Sequence, residues 1–476
     1  MRRQVTVPLI VACALFMENL DSTVLSTSLP AIALDLKQDP IALKLALTSY
    51  LLSLAVFIPI SGWMADRFGA RTVFRAAIVV FTLGSIACGF SVSLPDLVLY
   101  RVIQGLGGAM MTPVGRLVVV RLVPKHELVS ALAWLVVPAM LGPLLGPPLG
   151  GFITTFFSWR WIFWINVPIG ILGVFLATRF IENIRERDVP KFDLKGFVLS
   201  GLGLAGFAFG LTTVGQNLLP PFVSAGLLVI GATAIYAYVR HARHSPSAPL
   251  DLKLLSIPTF RASVVGGFLF RIGIGAMPFL LPLMFQLGFG LTPLQSGLLT
   301  FAGAIGAITM RANAAPVLRR FGIKRVLVIN TFVAAAFIGA CGFFADMPYW
   351  LIFALLLVGG FFRALQFTSL NSLAFADLGQ RSMSKATSFT SVAQQLSITA
   401  GVAVSALALE SVRLIRGDSA ILAADFLPAF FVVGVISASA IFFLAPLPKN
   451  AGESLIRRPT TKTPPPPETG PAGPQV

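Results

Sequence analysis

The sequence predicts an all-α polytopic membrane protein of fourteen transmembrane helices. Three observations lead there. The 476 residues are 56% hydrophobic and 12% charged, where soluble proteins average about 45–50% and about 25%. A helical span uses about 20 residues, so fourteen spans use about 280, close to the apolar share of this chain. Of the 36 Lys and Arg residues, 27 fall on alternate loops, five on the loops between and four inside spans. This alternation is the positive-inside pattern, and it puts both termini in the cytoplasm of a multi-pass protein of the cell (inner) membrane.

The segments follow in order. The first, 7–31, comes after Met1-Arg2-Arg3 and runs past Glu18 and Asp21 with no small-x-small cleavage site, so it reads as an uncleaved span and not a signal peptide. Segments 43–62 and 73–93 flank a basic loop at Arg67, Arg71 and Arg75. Segment 96–118 starts after the short turn Ser93-Leu94-Pro95-Asp96, where Pro and Asp suit a turn. Segments 130–154 and 161–181 complete a first group of six. Segments 195–215 and 221–240 are the weakest pair, and their merging into one re-entrant segment is the alternative count. Segments 260–285, 293–317, 325–345, 348–370, 385–409 and 425–446 form a second group of six. The expected divisions are therefore 1–181, 182–259, 260–448, and a tail over 449–476. The tail contains the run Pro464 to Pro467 and cannot bury a core, so it reads as disordered.

A weak repeat links the two groups. Arg67-Phe68-Gly69-Ala70-Arg71 follows the second segment, and Arg320-Phe321-Gly322-Ile323-Lys324 follows the tenth. Transporters made of two repeated halves leave such traces.

Composition also excludes. The net charge of +17 is loop charge, which removes a nucleic-acid partner. Cys13, Cys88 and Cys341 lie in apolar runs, and no CxxC or Cys/His spacing suggests a metal. His126, His241 and His244 fall on loops. No GxxxxGK[ST] loop supports ATP-driven work, and no nucleophile–base cluster supports an enzyme. No cofactor is expected.

Four motifs carry chemistry. Gly62-Trp63-Met64-Ala65-Asp66-Arg67-Phe68-Gly69-Ala70-Arg71 has the form GxxADRxGxR. Gly62 would allow close helix approach, Gly69 a tight turn with positive φ, and Asp66 could pair with Arg67 or Arg71 or sit at a helix N-terminus. Arg101-Val102-Ile103-Gln104-Gly105-Leu106-Gly107-Gly108 opens the fourth segment. Gly142-Pro143-Leu144-Leu145-Gly146-Pro147-Pro148-Leu149-Gly150-Gly151 packs four Gly and three Pro into ten residues of the fifth. Leu20-Asp21-Ser22-Thr23-Val24 leads to Leu29-Pro30 in the first.

In this order the motifs resemble those of the major facilitator superfamily, over about residues 8–446. The first-segment motif and Trp159-Arg160-Trp161-Ile162-Phe163-Trp164-Ile165-Asn166-Val167-Pro168-Ile169-Gly170 resemble its fourteen-span drug:proton antiporter branch. The resemblance implies two six-helix bundles plus two extra helices. It implies that Asp66, Arg67 and Arg71 act as a conformational latch. It implies that the stretch Gly142 to Gly151 seals the halves against leak. The second copy departs from the latch pattern: Ala315 and Arg319 stand where Gly62 and Asp66 stand, so a degenerate second latch is expected.

The charges inside spans are the candidate transport site. Glu18 and Asp21 are three residues apart and share a helix face. A carboxylate in a bilayer must be paired or protonated. Two readings stand for Asp21: a proton and cation site, or a structural ion pair with Arg101. Glu18 is a second titrating site or a cation-selecting group. Arg271 is a counter-ion for these carboxylates or an anion-binding group. Arg363, before Gln366 and Asn371, either faces a cavity or snorkels to an interface, while Arg311, towards the inner end of its span, snorkels. Gln104, Arg363, Gln366 and Asn371 are candidate polar groups of a cavity. Phe268, Phe270, Phe279, Phe285 and Phe289 line an apolar drug cavity or face lipid.

These readings converge on a secondary transporter that exports drugs or other small lipophilic or cationic compounds by proton antiport. The alternatives are a proton-coupled exporter of an endogenous anionic metabolite and a non-transporting membrane sensor. The expected partners are the lipid bilayer, protons and a small-molecule substrate. A periplasmic adaptor is left open.

Overall fold

The computed structural model describes residues 3–452, apart from 125–126, 184, 187–188, 190, 214–219, 246–247, 380–381, 418–419 and 449–450. The expected proline-rich tail and His126 lie outside the described residues. Among those described there is helix and no strand. Fourteen helices are long and apolar enough to cross a membrane. They are α1 (Val5–Asp35), α2 (Lys44–Phe68), α3 (Ala70–Gly89), α4 (Leu94–Leu122), α5 (Ser130–Phe156), α6 (Trp161–Phe180) and α7 (Leu194–Thr213). The rest are α8 (Pro221–His244), α9 (Pro258–Gly288), α10 (Pro293–Phe321), α11 (Ile323–Asp346), α12 (Tyr349–Phe375), α13 (Met383–Arg416) and α14 (Ala423–Leu444). Each overlaps one expected segment, and α7 and α8 are separate helices rather than one re-entrant piece.

Local sequence explains the helix ends. Ser93 caps α4 by accepting from the Asp96 amide, and Thr292 with Gln295 forms a capping box at α10. Gly69 (φ 92°) and Gly322 (φ 79°) make the matching turns α2–α3 and α10–α11, in the backbone region that glycine enters most easily. A Cβ on Gly69 would also stand 2.2 Å from Asn183 Oδ1.

The helices pack as two six-helix bundles of the same plan. In the first, α1 packs on α5 and α6, α4 on α2 and α3, and α3 on α6. In the second, α9 packs on α13 and α14, α12 on α10 and α11, and α11 on α14. Every pairing recurs eight helices later. The bundles meet along two seams, α5–α10 and α2–α13, which the same offset exchanges. The fold thus has an internal two-fold relation, and the Arg-Phe-Gly repeat marks it at equivalent turns.

The two extra helices form a hairpin. Gly203, Gly206 and Gly231 let α7 and α8 approach to backbone contact. The hairpin lies beside one seam only, with α7 against both α2 and α13. Asp193 secures its entry by accepting from the Gly196 amide (2.9 Å) and Ser245 (3.1 Å) and by pairing with His241 Nε2 (2.9 Å). Burial alone would raise the Asp193 pKa, but those hydrogen bonds hold it below the usual carboxylate value. An apolar groove of about 370 Å³ runs between α2, α4 and α7, lined by Leu52, Val56, Val98, Phe197 and Phe209 among others.

The phenylalanines expected to line a cavity or face lipid do neither in the main. Phe270, Phe279 and Phe285 are fully buried core residues, and Phe285 stacks on Phe344. Spacing in an apolar helix does not reveal which side meets another helix.

Candidate functional site

The helix α1 carries Asp21 into the middle of the first bundle. There the carboxylate is buried to 2% exposure and Arg101 of α4 to 1%. Arg101 Nη1 donates to Asp21 Oδ2 at 2.5 Å and to Gln104 Oε1 at 2.7 Å. Gln104 Nε2 donates to Asp21 Oδ1 at 2.8 Å, and so does Asn166 Nδ2 of α6 at 2.9 Å. Asn166 also donates to Ser85 Oγ (3.0 Å), which donates to the Phe163 carbonyl (2.8 Å). Arg101 Nε reaches the Ala46 carbonyl of α2 at 3.1 Å, and its guanidinium lies 4.2 Å from the Tyr50 ring centre. The spacing Arg101-x-x-Gln104 puts both donors on one face of α4, one turn apart. Five helices therefore contribute to one network, and the carboxylate at its centre is met directly by one cation and two amides from α4 and α6.

Glu18 lies one turn away on α1, is partly exposed, and accepts from Thr112 Oγ1 at 2.9 Å. It is outside the Arg101 network.

The inner-loop motif is held differently from expectation. Asp66 pairs with neither Arg67 nor Arg71. Its Oδ1 accepts from Arg121 Nη2 at 2.7 Å, and Arg121 also pairs with Glu186 at 3.0 Å. Arg121 ends α4 at the same membrane face, a placement that sequence distance hides. Arg71 reaches the Ile181 carbonyl, and Arg67 is exposed. Gly62 is exposed with open space around it, so it mediates no close approach here. In the second bundle Arg319 is exposed and forms no ion pair among the described residues, consistent with a degenerate copy.

The Gly-Pro stretch is a double seam. Pro138, Pro143, Pro147 and Pro148 sit inside one continuous helix. Gly142, Gly146 and Gly150 form a ridge against α1: added Cβ atoms would stand 2.8, 2.0 and 2.5 Å from atoms of Asn19, Thr23 and Val24. Gly151 turns instead to Pro293 of α10, and Gly297 of α10 turns to Pro147. The motif thus fastens α5 to the helix bearing Asp21 and to the opposite bundle at once.

The cavity candidates separate. Gln104 is fully buried in the Asp21 network. Gln366 is fully buried too, bonded to Asn330 (3.0 Å) and Thr331 (2.6 Å) of α11, so it lines no cavity. Arg363 lies among α10, α11 and α12, with Nη2 3.0 Å from the place of a Gly303 Cβ. Arg271 is 3% exposed and donates through Nη2 to Asn371 Oδ1 at 3.0 Å. It makes no ion pair with Asp21 or Glu18, so the counter-ion reading fails in this structure. Among the described residues no cluster of His, Cys, Asp and Glu could hold a metal.

Comparison with known proteins identifies the scaffold. The family model described as Major Facilitator Superfamily matches residues 11–402. The chain belongs to the Major Facilitator Superfamily. Superfamily relatives include the MdtD multidrug resistance protein of Pectobacterium atrosepticum, 39% identical over 401 residues, which are 84% of this chain and 86% of that one. The protein of the same name from Salmonella paratyphi A is 37% identical over 458 residues, covering 94% and 96%. Among solved structures of the superfamily fold, a D-xylose–proton symporter aligns over 94% of this chain and 98% of its own at TM-score 0.67 and 16% identity. A POT family transporter solved with 5-aminolevulinic acid aligns over 95% and 97% at TM-score 0.70 and 15% identity. This superfamily member is a membrane transporter of small molecules, with relatives named for multidrug resistance.

Sequence reasoning missed Asn166, Ser85, Tyr50 and Arg121. Asn166 stood in the Trp159–Gly170 motif, and an amide inside an apolar span is itself a signal.

Proposed function

We propose that this transporter exports drugs and other small lipophilic or cationic compounds in exchange for protons, by alternating access, across the cell (inner) membrane with both termini cytoplasmic. The observation that carries the reading is the buried Asp21–Arg101 pair, whose acid is the one carboxylate fully enclosed at mid-span in the first bundle. Protonating Asp21 removes the charge that holds Arg101. Arg101 must then find another acceptor, and α1, α2, α4 and α6, which all touch this network, change their mutual fit. Coupling needs only that the proton favours one of the two global states over the other. Glu18, half-open and one turn away, suits a group that selects cations or takes a second proton.

The rocking units are the bundles 1–181 and 260–448, with 182–259 as the inserted hairpin and its loops. Inter-bundle polar ties support a state closed at the outer face: Arg413–Asp39 (2.5 Å), Gln286 to the Thr27 carbonyl (2.9 Å), and the Leu294 amide to Thr155 (3.1 Å). All three lie at the end of the bundles opposite the termini. The Asp66–Arg121–Glu186 cluster at the termini end stays within the first half and its following segment, as suits a latch that stiffens one unit.

The test is efflux of ethidium driven by a pH gradient in inverted vesicles. Wild type should quench and recover dye signal as the gradient is made and collapsed. If Asp21→Asn leaves gradient-driven efflux intact, the proton assignment is wrong.

A further inference from the structure

Arg271 is a buried cation that the protein itself does not neutralise. From Pro258 to Phe375 the chain contains one acidic residue, Asp346, and it lies at the far end of α11. No carboxylate among the described residues lies within 4 Å of Arg271. The guanidinium has one hydrogen-bond partner, the neutral Asn371 amide, and its Nε has none. The Phe367 ring centre is 5.4 Å away. A cation near the middle of a membrane helix is costly unless an opposite charge meets it, so an uncompensated one marks a place for an anion.

The local backbone is shaped around this group. Gly267, one turn earlier, leaves the room: a Cβ there would stand 2.7 Å from Arg271 Nη1. Helix α9 carries π-helical turns at Ala262–Gly266 and Met284–Gly288, on either side of Arg271, and such turns collect at functional sites. Asn371 and Phe367 are half-exposed, so the polar end of the pair is not sealed off. Asn371 fixes one edge of the planar fork and leaves other N–H donors free, the arrangement a carboxylate engages with two parallel hydrogen bonds.

We infer that Arg271, held by Asn371 beside Phe367, is a carboxylate-binding subsite of the second bundle, and that the substrates include amphipathic organic acids whose ring or chain packs on apolar surface. This rests on the transporter reading above but not on its proton step. Asp21 would carry the proton in one bundle while Arg271 holds the acid group of the cargo in the other.

The experiment is an equilibrium thermal-shift titration of the purified full chain, with no pH gradient. The probes are 2-naphthoate, its methyl ester, and 2-naphthylmethylammonium. The acid should stabilise wild type and the ester should not. Arg271→Gln should weaken the acid response about tenfold to a hundredfold, the range expected for losing a charged hydrogen bond. Arg271→Lys should recover part of it, since it restores charge without the fork. Asn371→Ala should weaken the acid response less than Arg271→Gln and leave any ammonium response unchanged, which guards against a variant that merely misfolds. Equal response to acid and ester, or an unchanged acid response in Arg271→Gln, overturns the inference. Asp21→Asn should keep the acid response. If gradient-driven efflux fails while this response stands, the proton reading alone falls; if the reverse occurs, only the subsite does.

Discussion

Two arginines, Arg101 and Arg271, are buried to 1% and 3% exposure in mirrored bundles, and they have opposite company. Arg101 has a carboxylate, an amide oxygen, a backbone carbonyl and a tyrosine face. Arg271 has one amide oxygen and the Phe367 ring, but no carboxylate and no backbone carbonyl among the described residues. The contrast extends along α4 and α12, which occupy equivalent places. Arg101-x-x-Gln104 recurs as Arg363-x-x-Gln366, yet Gln104 serves Asp21 and Gln366 serves Asn330 and Thr331. What differs is α1, which brings Asp21, against α9, which brings no acid. The lesson is that a repeated scaffold holds buried arginines in both halves, but of Arg101, Arg271 and Arg363 only Arg101 meets a carboxylate among the described residues.

The largest expected effect breaks the paired half. Asp21→Asn leaves Arg101 buried and unpaired, a change that typically costs about 3–5 kcal/mol; thermal unfolding in detergent should show a large drop. Adding Arg101→Gln should recover much of that loss while gradient-driven efflux stays absent. Recovery of coupling as well would mean that the pair is only structural.

Next comes the seam that fixes α1. Gly146→Leu must push Thr23 aside, since even a Cβ there would meet Thr23 Oγ1 at 2.0 Å. Overpacking of this kind costs about 1–3 kcal/mol, and transport should fall with it. The same substitution at Gly62, which has open space, should leave unfolding unchanged.

Smaller still is the latch. Asp66 and Arg121 are part-exposed, so Asp66→Asn should cost only about 0.2–1 kcal/mol but slow transport several-fold. Arg319→Ala, at the equivalent place in the second bundle, should leave the transport rate unchanged. Equal slowing by both would erase the asymmetry between the halves.

The smallest effect concerns the hairpin. The Asp193 pKa is held low in the folded state, so its contribution to stability is full above the unfolded value and is lost as pH falls through the folded one. Melting of wild type and Asp193→Asn should differ at neutral pH and converge in acid.

The fourteen spans and the alternation of basic loops were legible because both are properties of runs, which need no knowledge of packing. Asp21 and Arg101 were legible as costly charges inside apolar segments. Their joining was one of two open readings, and its fuller circle was not visible: Asn166 is 145 residues from Asp21, and only the rotation of α6 against α1 brings them together. Asp66 was given the wrong partners because neighbours in sequence compete badly with Arg121, which arrives 55 residues later at the end of α4. The crowding of four Gly and three Pro between Gly142 and Gly151 was readable, but which helix Gly142, Gly146 and Gly150 face was not.

The central claim, that Asp21 is the exchanging acid, is tested most directly by proton release on substrate binding. Purified protein in weakly buffered detergent, with a pH-sensitive dye, is mixed with substrate at a pH where the empty carrier is loaded. The account predicts release from wild type and from Glu18→Gln, and none from Asp21→Asn. Undiminished release from Asp21→Asn would contradict it.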